Sequence, residues 1–238
     1  TLSGGEYRSL IKVLNNAELV DSASKTILVN PPAPTVAFVE GSTILIDSSS
    51  IYYSVEVQDE NGLNYIDKVY AQLFFPDEQG SGSPYPMTDE GQANDASAND
   101  GIYTINFNIP SLRYYGMYQM KFWAINKGQV SSDTVAIDVK APLLKLLEPN
   151  QGVYSAGDSI NIAWESKLVD SIKISYDENY SASSPEFNDI TVVPAEDSNY
   201  LWITNDTMNR DSLKIKIASV GMPFIKDLSD GFMSINSN

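Results

Sequence analysis

Alternation is the feature that most constrains what this chain can fold into. Tyr52-Tyr53-Ser54-Val55-Glu56-Val57, Ile102 to Ile109, Ile160-Asn161-Ile162-Ala163-Trp164 and Leu213-Lys214-Ile215-Lys216-Ile217 each swing between apolar and polar with a period of two. Side chains that point to opposite faces at successive residues give a strand with one face in a core and the other in water. Glu60-Asn61-Gly62, Asn99-Asp100-Gly101, Lys127-Gly128, Ala156-Gly157-Asp158 and Ser229-Asp230-Gly231 punctuate these runs. Turn signals between short strands at a spacing of roughly 8 to 12 residues belong to β-sandwiches. The pattern predicts an all-β chain with no substantial helix. Trp123 and Trp164 lie inside such runs and are expected in sandwich cores.

Two proline-bearing seams divide the sequence. Asn30-Pro31-Pro32-Ala33-Pro34 denies donors to a central strand and reads as a stiff linker, and Lys140-Ala141-Pro142 precedes a fresh start at Leu143. The expected organisation is a sandwich over 31–141 and a second over 142–238, each of about 100 residues, the size of one immunoglobulin-like unit. The first 30 residues are too few for a domain. Gly5-Glu6-Tyr7 and the alternating stretch after it repeat the pattern that begins at Gly116-Met117-Tyr118, 111 residues later. Residues 1–30 therefore read as the last two strands of a preceding sandwich, with an added hairpin as the other reading. Two strands alone are marginal in water, so either reading calls for cover.

Composition narrows the chemistry. The chain has 238 residues, 15 Lys and Arg against 31 Asp and Glu for a net charge of −16, and no Cys or His. That excludes disulfides, thiolate nucleophiles, Ser-His triads, zinc sites and histidine bases together. Nucleic acid is not an expected partner, because phosphate binding needs clustered cations. Membrane insertion is not expected either, since no window nears the ~18 continuous apolar residues of a spanning helix. Carboxylates, hydroxyls, lysines and hard cations remain. The chain opens at Thr1 without a signal-like segment, and is expected to be a fragment or mature form of a larger soluble polypeptide.

Asp59-Glu60-Asn61-Gly62-Leu63, then Asp89-Glu90-Gly91 leading to Asn99-Asp100-Gly101-Ile102-Tyr103-Thr104, resemble a bacterial extracellular Ig-like module of the D-x-G to D-G-x-Y-T type. Such modules occur in multidomain surface and secreted proteins of Bacteroidetes-like bacteria. Farther on, Glu148-Pro149-Asn150-Gln151-Gly152, Tyr154-Ser155-Ala156-Gly157-Asp158, Ile162-Ala163-Trp164 and Val169 to Ile174 are similar to the Ser/Thr-rich cell-wall-anchored Ig-like family. The two resemblances cover most of the chain. They imply tandem immunoglobulin-like (fibronectin III-like) β-sandwiches, an extracellular or cell-surface location, and no catalytic residues to transfer.

One stretch carries candidate site chemistry. Residues 89–101 supply Asp89, Asn94, Asp95, Asn99 and Asp100 among glycines, and no Lys or Arg occurs between Lys68 and Arg113. Clustered oxygen donors on a tight loop are what Ca²⁺ coordination requires, although the spacing is not that of an EF-hand. The other reading of the same residues is a set of Asx turns closing a hairpin loop. Calcium is the one cofactor expected. The overall expectation is a non-catalytic stalk, spacer or adhesion segment of a secreted bacterial protein. Its partners are the rest of a larger parent chain and a cell-surface glycan or protein. Alternatives are a carbohydrate-binding accessory region of an extracellular enzyme and a fibre subunit completed by strand donation.

Overall fold

The computed structural model describes residues 5–14, 20–92 and 94–237. The turn expected after Asn15 falls outside them. Among the described residues the regular secondary structure is strand apart from two single 3-10 turns, Leu63–Tyr65 and Ala195–Asp197, and the chain divides into two compact units, 1–111 with 117–139 and 112–116 with 140–238.

In the first unit β1 (Gly5–Leu14) and β2 (Val20–Val29) pair antiparallel, from Gly5 opposite Val29 to Leu14 opposite Val20, as a sheet of two strands. The remaining strands are β3 (Thr35–Gly41), β4 (Ser49–Gln58), β5 (Ile66–Phe74), β6 (Tyr85–Met87), β7 (Ile102–Ile109), β8 (Gly116–Asn126) and β9 (Val135–Ala141). They form one sheet of order β3-β4-β7 and one of order β6-β5-β8-β9. The first, second and fifth strands opposite the fourth, third, sixth and seventh make an immunoglobulin-like Greek-key sandwich.

The alternation is what closes it. Ile51, Tyr53, Val55 and Val57 of β4 and Tyr118, Met120, Phe122 and Ala124 of β8 are all buried. The rings of Tyr53 and Phe122 meet at 5.6 Å. Fully buried Asn126 ends β8: its amide donates to Pro32 O at 2.8 Å and Asp59 Oδ2 at 3.0 Å, while its oxygen accepts Gly128 N–H and Val130 N–H. A buried polar residue with every valence used fixes the turn after β8.

The second unit contains β10 (Leu143–Glu148), β11 (Gly152–Ser155), β12 (Ser159–Lys167), β13 (Ser171–Asp177), β14 (Asn188–Pro194), β15 (Asn199–Ile203), β16 (Arg210–Ser219), β17 (Lys226–Leu228) and β18 (Met233–Asn236). β10-β12-β15 forms one sheet, and β11-β18-β16-β13-β14 the other, with β17 beside β16. β11 runs parallel to β18. Ile160, Ile162 and Trp164 from one sheet and Ile172, Ile174, Leu213, Ile215 and Ile217 from the other share a single core. Trp164 is buried as expected, and its indole N–H donates to Ala195 O at 2.8 Å.

Trp123 is a correction. It falls on the outward phase of β8, half-buried, with its ring 5.6 Å from that of Tyr70. Phe122 holds the core position beside it, because in a strand only one of two adjacent aromatics can face inward. The second buried tryptophan is Trp202 of β15, in the same core as Trp164 and with its ring 5.0 Å from that of Tyr176.

Candidate metal centre

The acidic loop leads into β7, and a ladder of isolated bridges shapes it. Thr88 pairs with Thr104 and Glu90 with Ala98, so the two limbs stay together beyond the sheet. Two glycines are required here. Gly91 has φ +65°, and a Cβ on it would lie 2.7 Å from Ala98 N; Gly101 has φ +92°, with a Cβ 3.1 Å from Val57 O. Asn99 also takes a positive φ, 63°, a conformation asparagine tolerates better than most residues.

Carboxylates hold this backbone from within. Asp89 Oδ1 accepts Asn99 N–H at 2.6 Å and Asp100 N–H at 3.3 Å, and its Oδ2 accepts Gly101 N–H at 2.9 Å. Asp95 is 5% exposed, and accepts Gly91 N–H on Oδ2 at 2.7 Å and Ser97 N–H on Oδ1 at 3.1 Å. Asp100 Oδ1 accepts Ile102 N–H at 2.9 Å. Asp95 can be buried and charged because backbone donors replace its water. The result brings one oxygen each of Asp89, Asp95 and Asp100 within 4.8 Å of one another. Asn94 and Asn99 lie on the same loop with exposed side chains. The charge reaches its neighbours: burial, and then Asp89, push the Tyr103 hydroxyl above its ordinary pKa.

Calcium binds oxygens at about 2.4 Å, so ligands on opposite sides of one ion stand just under 5 Å apart. The three carboxylates fit that span. Asp89 Oδ1 already accepts two N–H groups, but Asp89 Oδ2, both Asp95 oxygens and Asp100 Oδ1 accept one each and keep a second lone pair, so loop closure and cation binding are compatible. Asp89, Asp95 and Asp100 are the residues that could hold such an ion. The Asx-turn reading describes the same oxygens, since every one of these carboxylates accepts from the loop's own backbone.

Two other clusters carry carboxylates or aromatics. A depression of about 300 Å³ in the second unit is lined by Asp177, Glu178 and Glu186 among others. Asp177 is committed there to the N–H groups of Asn179 and Glu186, and Glu178 to Arg210 at 2.6 Å. On the first unit, Tyr70 and Trp123 form an outward pair whose planes lie 32° apart. That is a tilted pair rather than a coplanar row.

No family profile matches the chain, and no curated protein does. Among solved structures it is similar to the fibronectin(III)-like modules of CbhA from Clostridium thermocellum, at 14% identity over 86% of this chain and 94% of that one, with a TM-score of 0.30. It is also similar to the three N-terminal domains of the bacteriophage RB49 highly immunogenic outer capsid protein, at 9% identity over 99% and 79%, TM-score 0.44. A PKD domain of an M14-like peptidase from a Thermoplasmatales archaeon matches 47% of this chain and 94% of its own, at 17% identity and TM-score 0.28. The immunoglobulin-like fold stated above rests on strand order and cores.

Proposed function

We propose that the chain is a non-catalytic modular segment of a secreted or cell-surface bacterial protein, serving as a stalk, spacer or adhesion region. The observation that supports it is the pair of self-contained sandwiches, each with its own core, in a chain where β9 ends at Ala141 and β10 begins at Leu143. A module that closes its own core can transmit force or distance without help from its neighbour. Single-molecule extension of the chain tests this. The expected trace has two discrete ruptures, each releasing about 100 residues, or roughly 340 Å of extended chain. A single featureless extension, or turnover of glycoside or peptide substrates by the purified chain, would overturn the reading.

A specific observation favours a cation in the first unit. Three carboxylate oxygens within 4.8 Å match the span of one Ca²⁺ ion, and we assign that role to Asp89, Asp95 and Asp100, with Asn94 and Asn99 as further oxygen donors on the loop. Ligand at about 100 times its Kd stabilises by about 2.7 kcal/mol, enough to raise one unit's transition by several degrees. Melting in EDTA and in millimolar Ca²⁺ reads this directly. Asp100→Ala, which removes one local hydrogen bond, should abolish the shift; no shift in the parent chain would sink the assignment.

The β1–β2 hairpin we assign to the end of a preceding sandwich. Its pairing puts Tyr7, Ile11, Val13, Ala23 and Ile27 on one face with Ser9 and Lys25 among them, and Arg8, Lys12, Ser22, Ser24 and Thr26 on the other with Leu10. Ile11 is 63% exposed and Val13 61%, whereas Phe122 and Ala124, at the corresponding places in β8, are fully buried.

A further inference from the structure

β16 carries Lys214, Lys216 and Ala218 on one face. In the ladder Ala218 stands opposite Lys173 of β13 on one side and Lys226 of β17 on the other. Directly opposed residues of antiparallel strands share a face, so four lysines from three adjacent strands occupy one outer surface. Residues 142–238 hold only seven Lys and Arg in all, within a chain of net charge −16. Most of the unit's positive charge is therefore gathered in one strip.

Aromatic rings accompany it. Lys216 Nζ lies 3.8 Å from the Phe187 ring centroid, and Lys214 Nζ 5.0 Å from that of Phe232. Phe232 is 52% exposed, and Phe224, in the turn between β16 and β17, is 56% exposed. The strip is only partly neutralised. Lys173 meets Asp189 at 3.0 Å, and Lys214 donates to the carbonyl oxygens of Ser229 and Asp230. Among the described residues neither Lys216 nor Lys226 forms an ion pair. Burial, and then the charges of Lys173 and Lys226, hold the Lys216 ammonium below its ordinary pKa, with Asp189 opposing. An anion arriving here would relieve that repulsion.

We propose that this strip binds an anionic polysaccharide, its acid groups meeting Lys216 and Lys226 and its sugar C–H faces lying on Phe224 and Phe232. The polymer's shape decides the partner class. A flat anionic surface would confront the whole chain, including residues 31–141 with 14 acidic and 5 basic residues. A linear polyanion needs only the strip, where Asp177 and Asp189 are the acids that the strand register places on the same face. The inference rests on the extracellular modular reading and names a ligand for its adhesive role.

Calorimetric titration of the chain with polygalacturonate at low salt tests it, with fully methyl-esterified pectin as the same sugar without charge and poly-L-glutamate as charge without sugar rings. The expected result is binding of polygalacturonate above both controls, weakening as salt is added. Reversing the half-buried Lys216 and the exposed Lys226 in K216E/K226E should weaken it about tenfold. Lys226→Ala alone, and F224A/F232A, should each weaken it with an unchanged melting curve. K145E/K167E, on the opposite sheet, should leave it intact. No binding of polygalacturonate, equal binding of poly-L-glutamate, or indifference to both K216E/K226E and Lys226→Ala overturns the proposal. The force-extension trace is untouched by any of these outcomes, so the two readings fail separately.

Discussion

Tyr53 shows how a single side chain can be well packed and still imperfect. Its ring fills the first core beside Phe107 and Phe122, yet among the described residues its buried hydroxyl has no hydrogen-bond partner. An orphaned buried hydroxyl costs about 1–3 kcal/mol relative to a satisfied one, so Tyr53→Phe should be neutral or stabilising by up to about 1 kcal/mol. Burial also raises the Tyr53 pKa above its ordinary value of 10.0. A raised folded-state pKa means the unfolded chain releases the proton first as pH climbs. That contribution is complete below pH 10 and is lost above it as pH rises toward the folded-state value. The first unit should accordingly weaken in strong alkali, and Tyr53→Phe should flatten that limb in denaturant titrations from pH 8 to 11.5. A parallel limb in the variant would show that Tyr53 is not the titrating group. Trp164 is the complementary case, buried and satisfied. Trp164→Phe removes one of the two donors to the Ala195 carbonyl, leaving Ser166 Oγ at 3.0 Å, and opens a gap, for an expected loss of about 1–3 kcal/mol confined to the second unit's transition.

At the scale of elements, alternation was legible because one face of every core strand is buried, which forces the period of two. The strands of β4, β7, β12 and β16 follow directly from it. What alternation does not carry is the choice of face when both neighbours are large. Phe122-Trp123 is ambiguous in sequence, and only the register of β8 against β5 turns Phe122 inward and Trp123 toward Tyr70. Loops are legible for a different reason: the glycines at 91 and 101 announce a tight path, and the acids between them announce backbone capping. That Asp89 alone would accept three N–H groups depends on the ladder at Thr88 and Glu90, which no local pattern specifies. Nor does the lysine strip show in sequence, since Lys173, Lys216 and Lys226 come together only through the pairing of three strands. The hairpin yields a sharp element-level expectation. Ile11→Asp and Val13→Asp alter side chains that are already more than half exposed, so each should change the melting of this chain by less than about 0.5 kcal/mol. Ile174→Ala, at a fully buried site, should cost about 2–5 kcal/mol. A comparable loss from the hairpin substitutions would mean that its apolar face is covered within this chain.

For the whole molecule, net charge sets how salt acts. Sixteen uncompensated negative charges repel one another in the compact state, and added salt shortens the reach of that repulsion from about 30 Å at 0.01 M to about 3 Å at 1 M. The distribution makes the response unequal. Residues 69–112 hold six carboxylates and no Lys or Arg, so screening there removes repulsion and little attraction. In the second unit Lys173 pairs with Asp189 and Arg210 with Glu178, and the same screening weakens those attractions. Calorimetry in EDTA, from 0.01 to 0.5 M NaCl, should therefore raise the first unit's transition by a few degrees while the second moves little. Trp164→Phe identifies which transition is which, because only the second unit carries that residue. Equal upward shifts of both transitions would mean that the repulsion is spread over the chain as a whole. A fall in the first would mean that the 89–101 loop is held by attractions to cations, against the hydrogen-bond geometry of Asp89 and Asp95.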